Sequence, residues 1–175
     1  MKRLVWLMGK PGSGKTTLGQ LLAEQILDSV HFSFGELLKE IQETPNPEGY
    51  TLGDRQRVYD FLKEKSADVR TMIVDGNPYP PTNFDRRRQL DDLFDTTINI
   101  HLTCDDESAL KRLEERNREV LLHEGIDNKA RILNFNTIVL PEIKKAEQKY
   151  TVLAIDTNTS SKKDLVEKIL TVLPS

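Results

Sequence analysis

The sequence predicts an α/β domain in which a parallel sheet carries helices on both faces. Three observations point there. Short apolar runs alternate with longer amphipathic stretches along all 175 residues, which implies parallel strands joined by right-handed helical crossovers. A glycine-rich turn with a lysine lies between the first apolar run and the first helical pattern, where such domains bind phosphate. The length suits one domain, since ~150 residues is an ordinary domain size and enough to bury a core without disulfides or metals.

The elements follow in order. Leu4-Val5-Trp6-Leu7-Met8 is an unbroken apolar run and reads as a buried strand. Leu18, Leu21, Leu22 and Ile26 recur at helical spacing and place a helix over 15–27. A very short strand at 30–32 and a helix over 35–41 come next, then a loop over 44–49 on its proline, asparagine and glycine content. A helix over 54–65 puts Val58, Phe61 and Leu62 on one face, and 71–75 is a strand ending at Gly76. Pro78, Pro80 and Pro81 forbid regular structure until about Phe84. A helix over 84–94, a strand over 97–102, a strongly charged helix over 107–119 and a loop over 123–128 follow. A long helix covers 130–149 with Pro141 as a kink, before the last strand at 151–155 and the closing helix at 162–173. Two small insertions, near 43–66 and 117–129, interrupt this alternation; no repeat or low-complexity tract does.

Composition excludes several functions. With 37% hydrophobic and 30% charged residues the chain is neither a disordered tail nor a fibre. No apolar run approaches the ~18 residues of a membrane span, so no membrane partner is expected. The apolar start is too short for a signal peptide and runs straight into Gly9-Lys10-Pro11-Gly12. A net charge of −3 argues against nonspecific polyanion binding, hence no nucleic-acid partner. The lone Cys104 can form neither an internal disulfide nor a zinc cluster, which suits a reducing cytoplasm. His31, His101 and His123 show no zinc spacing, and Ser33 and Cys104 read as structural rather than nucleophilic.

Gly9-Lys10-Pro11-Gly12-Ser13-Gly14-Lys15-Thr16 fits G-x-x-x-x-G-K-[ST] completely. Glycines let the backbone turn tightly, so that successive N–H groups point at phosphate oxygens. The helix that starts near Lys15 adds its positive N-terminal end. Lys15 then reaches β- and γ-phosphates, and the Thr16 or Thr17 hydroxyl ligates Mg²⁺. Asp75, at the end of the second long apolar run, has two readings: a carboxylate that holds Mg²⁺ through its water shell, or a turn-former with Gly76. On the charged helix, Arg112 and Arg116 are four residues apart and share a face. They either clamp phosphates or form a solvated face with Glu107, Glu114, Glu115 and Glu119. Of Arg86, Arg87 and Arg88, at most one or two can face a ligand.

With these pieces placed, the chain resembles the adenylate kinase and nucleoside monophosphate kinase family across almost its whole length. Its phosphate loop is like the family's G-x-P-G-x-G-K, and residues 31–39, HFSFGELLK, look like h-x-S-T-G-D-x-L-R. Gly49-Tyr50-Thr51-Leu52-Gly53-Asp54 resembles G-x-L-V-x-D, and Val74-Asp75-Gly76-Asn77-Pro78 resembles the D-G-F-P stretch. Arg112-Leu113 with Arg116 matches R-L-x-x-R, and Arg131 matches the arginine of the long helix behind the lid.

The resemblance implies a P-loop NTPase three-layer sandwich with a five-stranded parallel sheet of order 2-3-1-4-5. It implies a single kinase domain over 1–175, an acceptor-binding insertion over about 33–66, a short lid over about 117–129, and a monomer. ATP would lie on the loop from Gly9 to Thr17, with Mg²⁺ near Thr16 and Asp75. Arg112 would lie against adenine, and Lys15, Arg116 and Arg131 on the phosphates in transit. The acceptor would meet Ser33, Phe34, Gly35 and Lys39, then Tyr50, Thr51 and Leu52, then Gly76, Asn77, Tyr79 and Asn83, with Arg131. The departures fall on the acceptor side. Lys39 and Tyr79 stand where the family has arginines, Phe34 stands where it has threonine, and the lid lacks zinc-binding cysteines. The leading expectation is phosphoryl transfer from ATP to a nucleoside monophosphate. Its rivals are a kinase of another small metabolite and a nucleotide-binding regulator without an acceptor.

Overall fold

The computed structural model describes residues 1–41, 50–76, 82–119, 127–147 and 150–173, side chains of 82–86, 117–119 and 146 excepted. Five strands form one sheet: β1 (Arg3–Gly9), β2 (Ser29–Ser33), β3 (Thr71–Asp75), β4 (Thr96–Thr103) and β5 (Val152–Asp156). Its order is β2-β3-β1-β4-β5 and every pair is parallel, the order that the resemblance implies. The register sets Leu7 beside Asp75 on one side and Ile100 on the other, so the strands end together around the loop after β1. From the neighbours β1 and β3 the chain leaves in opposite directions, to β2 and to β4, and the crevice between them is a ligand site by topology alone.

Alternation along β1 divides the core. Leu4, Trp6 and Met8 face a layer made by α2 (Phe34–Ile41), α3 (Leu52–Ser66), α4 (Thr82–Asp91) and the helix before β5. Val5 and Leu7 face α1 (Lys15–Gln25) and α8 (Lys162–Val172), meeting Leu18, Leu22, Leu165 and Ile169. All five of these β1 side chains are buried. The period of two in a strand makes this division unavoidable. A smaller cluster of Cys104, Ala109, Leu113 and Ile132 joins α5 (Asp106–Glu119) to α6 (Asn128–Asn134).

Most expected boundaries move by one or two residues, for local reasons. The third helix starts at Leu52 rather than 54 because Thr51 and Asp54 form a capping box: the Asp54 amide donates to Thr51 Oγ1 (3.1 Å) and the Thr51 amide to Asp54 Oδ2 (2.8 Å). Asn128, expected in a loop, instead begins α6, because Asp127 Oδ1 accepts from the Ala130 amide at 3.0 Å. The kink expected at Pro141 takes the form of a π-turn over Phe135–Val139 leading into α7 (Leu140–Glu147). Proline has no N–H to return, so the preceding turn widens and Leu140 donates to the Phe135 carbonyl. The loop expected at 44–49 and the proline cluster lie outside the described residues. Among the described residues, no helix is long and apolar enough to cross a membrane.

Candidate active site

The loop after β1 is a phosphate cradle. Gly12 and Gly14 have φ of +83° and +89°, which side chains with a Cβ rarely adopt. A Cβ on Gly12 would also lie 2.4 Å from the Ala109 carbonyl oxygen. Gly14 caps α1 without a side-chain acceptor, so the first-turn N–H groups point into the cleft with no side-chain partner. Ser13 Oγ is buried and has no hydrogen-bond partner. Such a nest of donors suits an anion.

Lys15 is half-buried, and its ammonium donates to the carbonyl oxygens of Gly9 (2.7 Å) and Lys10 (2.9 Å). Burial lowers its pKa to about 8, although the charge of Asp75 opposes the shift. Lys10 itself pairs with Asp106 at the start of α5, and Asp106 Oδ2 accepts from Asn136 of the π-turn at 2.9 Å. These two hydrogen bonds hold the Asp106 carboxyl below its usual range. They tie the loop to the helix that carries Arg131.

Asp75, only 4% exposed, lies at the end of β3. His31 Nε2 contacts its Oδ2 at 2.9 Å and Ser33 Oγ donates to its Oδ1 at 3.3 Å. Thr16, Thr17 and Asp75 all border the same cleft. The hydroxyl and carboxylate are hard oxygen donors of the kind Mg²⁺ takes, alone or through water, so this donor set fits the ion. Among the described residues there is no cluster of three or more His, Cys, Asp and Glu that could cage a metal alone. Cys104 is buried, and burial pushes its thiol up, as suits a structural side chain.

The structure brings most expected site residues to one cleft of about 1290 Å³. Arg112 donates to Gly12 O (3.3 Å), Thr157 Oγ1 (3.1 Å) and Thr157 O (2.8 Å). Its guanidinium therefore joins the phosphate loop to the turn after β5. Arg116 and Arg131 meet at the cleft from α5 and α6. Desolvation first, then the charge of Arg116, lowers the pKa of Arg131. Asn128 Oδ1 accepts from the Arg131 guanidinium at 3.4 Å. Of the two readings of this helix face, the structure sets Arg112 and Arg116 toward the cleft.

Of the residues expected at the acceptor, Ser33, Phe34, Gly35, Lys39, Tyr50 and Gly76 border the cleft. Thr51 and Leu52, expected there, instead form the capped start of α3 outside the cleft; Leu52 is 52% exposed. Asn77 and Tyr79 lie outside the described residues, as do the side chains of Asn83, Arg86 and Arg118. Arg87 is no ligand-facing arginine: it is 2% exposed, 4.9 Å over the Trp6 ring, and bonded to Asn99 and Asp91. Arg88 is exposed and does not border the cleft.

Sequence reasoning missed Arg55 and Glu36, and the turn from Thr157 to Lys162, all of which line the cleft. The T-x-x-D of the capping box would have placed Arg55 in the first turn of α3, beside Tyr50. Burial raises the Tyr50 phenol, and the nearby Arg55 charge opposes that. His31 carried a signal too: alternation puts it on the same face of β2 as Ser33.

Residues 5–133 match the AAA domain family. The chain is similar to an adenylate kinase of Sulfurovum sp. strain NBC37-1, 31% identical over 134 residues, covering 68% of each protein. It is also similar to a shikimate kinase of Microcystis aeruginosa, 30% identical over 180 residues, covering 98% of this chain and 86% of that one. In fold it is like the shikimate kinase from Acinetobacter baumannii solved with shikimate, with a TM-score of 0.65 and 22% identity over 98% of this chain and 93% of that one. A phosphate cradle between β1 and α1, at the switch point of a 2-3-1-4-5 sheet, is what such relatives would share, and the chain belongs to the AAA domain family as a P-loop kinase.

Proposed function

We propose that the protein transfers the γ-phosphoryl group of ATP to a small anionic acceptor, with a nucleoside monophosphate as the leading candidate. The observation that carries this is one continuous cleft of about 1290 Å³ with cations at both ends. A single-ligand pocket occupies ~300–1,000 Å³, so this cleft has room for donor and acceptor together. The loop amides, Lys15 and Arg112 suit the triphosphate and base of the donor. Lys39 and Arg55 suit an acceptor anion, and the ring of Tyr50 suits a flat base. The Phe34 ring, expected to meet the acceptor, is instead buried in the core against Trp6 and Tyr59.

In such a transfer an acceptor oxygen attacks the γ-phosphorus as the bond to the departing ADP breaks. Charge spreads over three equatorial oxygens, so catalysis is positioning and electrostatic stabilisation with no covalent enzyme intermediate. Lys15, Arg116 and Arg131 approach from three directions to neutralise that charge. Bound Mg²⁺ supplies further neutralisation of the β- and γ-phosphates; Thr16 and Asp75 are the residues that would hold it. Closure of the cleft over both substrates excludes water as a competing acceptor.

A second reading rests on Glu36, a carboxylate on the acceptor side. It suits the hydroxyls of a small hydroxy acid and opposes a phosphate dianion; the likeness to shikimate kinases points the same way. The acceptor half of the cleft counts against a nucleotide-binding regulator. A coupled ADP-release assay over nucleoside monophosphates and small hydroxy acids tests all three. ADP released with a monophosphate supports the first reading. ADP released only with a hydroxy acid replaces it with the second, and slow release indifferent to any acceptor overturns both.

A further inference from the structure

We propose that His31 is a positioning residue for the Asp75 carboxylate, and that the absent side chain of Gly19 is what lets it serve. The proposal rests on the kinase reading of the cleft. Two elements, β2 and α1, build the surroundings of one carboxylate. From β2, His31 Nε2 lies 2.9 Å from Asp75 Oδ2, and Ser33 Oγ lies 3.3 Å from Oδ1. From α1, Gly19 backs the imidazole: a Cβ there would fall 2.4 Å from both Cδ2 and Nε2 of His31. The side chains of His31 and Asp75 are 8% and 5% exposed.

A carboxylate on a strand end turns easily about χ2, where the torsion is broad and two-fold. With His31 on one oxygen and Ser33 on the other, Asp75 is held in one orientation. Its remaining lone pairs are presented to the cleft shared with Thr16 and Lys15. Any ion with its water shell between phosphate and protein then meets a carboxylate that is already aimed. Groups that orient a metal-facing carboxylate typically change metal affinity by tenfold or more when removed. The close approach of Gly19 makes the arrangement testable without touching either partner, because an added methyl displaces the very nitrogen that contacts Asp75.

The test compares Gly19→Ala, His31→Phe and His31→Gln with the parent. For each, nucleotide affinity is measured by calorimetry twice, with ATP in EDTA and with Mn²⁺ and ATP, and thermal melting checks the fold. The ratio of the two affinities isolates what the metal adds. It should fall about tenfold in Gly19→Ala and His31→Phe, with EDTA affinity unchanged. His31→Gln, whose amide can still donate to Oδ2, should recover most of the ratio. A parental ratio in folded Gly19→Ala or His31→Phe overturns the proposal. An equal loss of both affinities also overturns it, since a general collapse of the site does that without any aiming of Asp75. If His31→Phe does not fold, Gly19→Ala against His31→Gln decides in the same way. A parent protein that binds no nucleotide under either condition overturns the kinase reading instead.

Discussion

The Lys15 ammonium lies 2.7 Å from the Gly9 carbonyl oxygen, folded back onto the loop whose phosphate it would serve. Carbonyl oxygens solvate the charge only in part, and burial lowers its pKa from 10.5 to about 8. A triphosphate in the cradle is a far stronger partner, so its arrival favours the charged form and raises the pKa again.

Proton uptake on nucleotide binding follows. At pH 8 the free protein holds Lys15 about half protonated, and binding ATP should draw in about half a proton. At pH 6 this site should draw none. Calorimetry in two buffers of different ionisation enthalpy measures it, with Lys15→Met as the control that abolishes this uptake. The same shift affects folding. Between about pH 8 and 10.5 the unfolded chain binds more protons at Lys15, so this group's contribution to stability rises with pH across that window. Uptake at pH 8 that persists unchanged in Lys15→Met contradicts the assignment.

Lys15→Ala should abolish transfer and leave the fold intact, because its ammonium serves the cleft rather than the core. Activity should require Mg²⁺ and disappear in EDTA. Asp75→Ala should strongly raise the Mg²⁺ concentration needed for half-maximal rate. Full turnover in EDTA would contradict the metal role.

Arg116 and Arg131 both line the cleft, near enough that the charge of one lowers the pKa of the other. Truncating either should lower turnover by roughly a hundredfold, about 3 kcal/mol, while nucleotide affinity changes far less. An arginine on a solvated face contributes well under ~1 kcal/mol and leaves catalysis alone. Arg118→Ala serves as the comparison, since the family pattern does not require it. Turnover near the parental value in all three variants would remove these arginines from the mechanism.

Arg87 provides the opposite control. It is buried over Trp6, bonded to Asp91 at 3.4 Å and to Asn99. Arg87→Ala takes the guanidinium from Asn99 Oδ1 and the cation from Asp91 and should cost about 3 kcal/mol of stability, read by urea unfolding. The acceptor's KM at a temperature where the variant is folded should stay parental. A raised acceptor KM with unchanged stability would return Arg87 to the site.

The sequence by itself determined the features that depend on neighbours along the chain. The turn from Gly9 to Lys15, the helix that follows it and the alternation that buries β1 on both faces are all consequences of local spacing, so they could be read before any fold was known. The sheet order came from the resemblance, which summed many weak local matches in one sequence order. Only the tertiary structure decided which side chains meet. His31 and Asp75 are 44 residues apart and Lys10 and Asp106 are 96 apart, and no pattern within a strand or helix relates such pairs. The same holds for the burial of Arg87 and the entry of Arg55 into the cleft. The three consecutive arginines at 86–88 are chemically alike, and which of them points inward depends on the phase of α4 against β1 and β4. That phase is set by packing on Trp6 and Asn99, partners that strand pairing supplies from elsewhere in the chain.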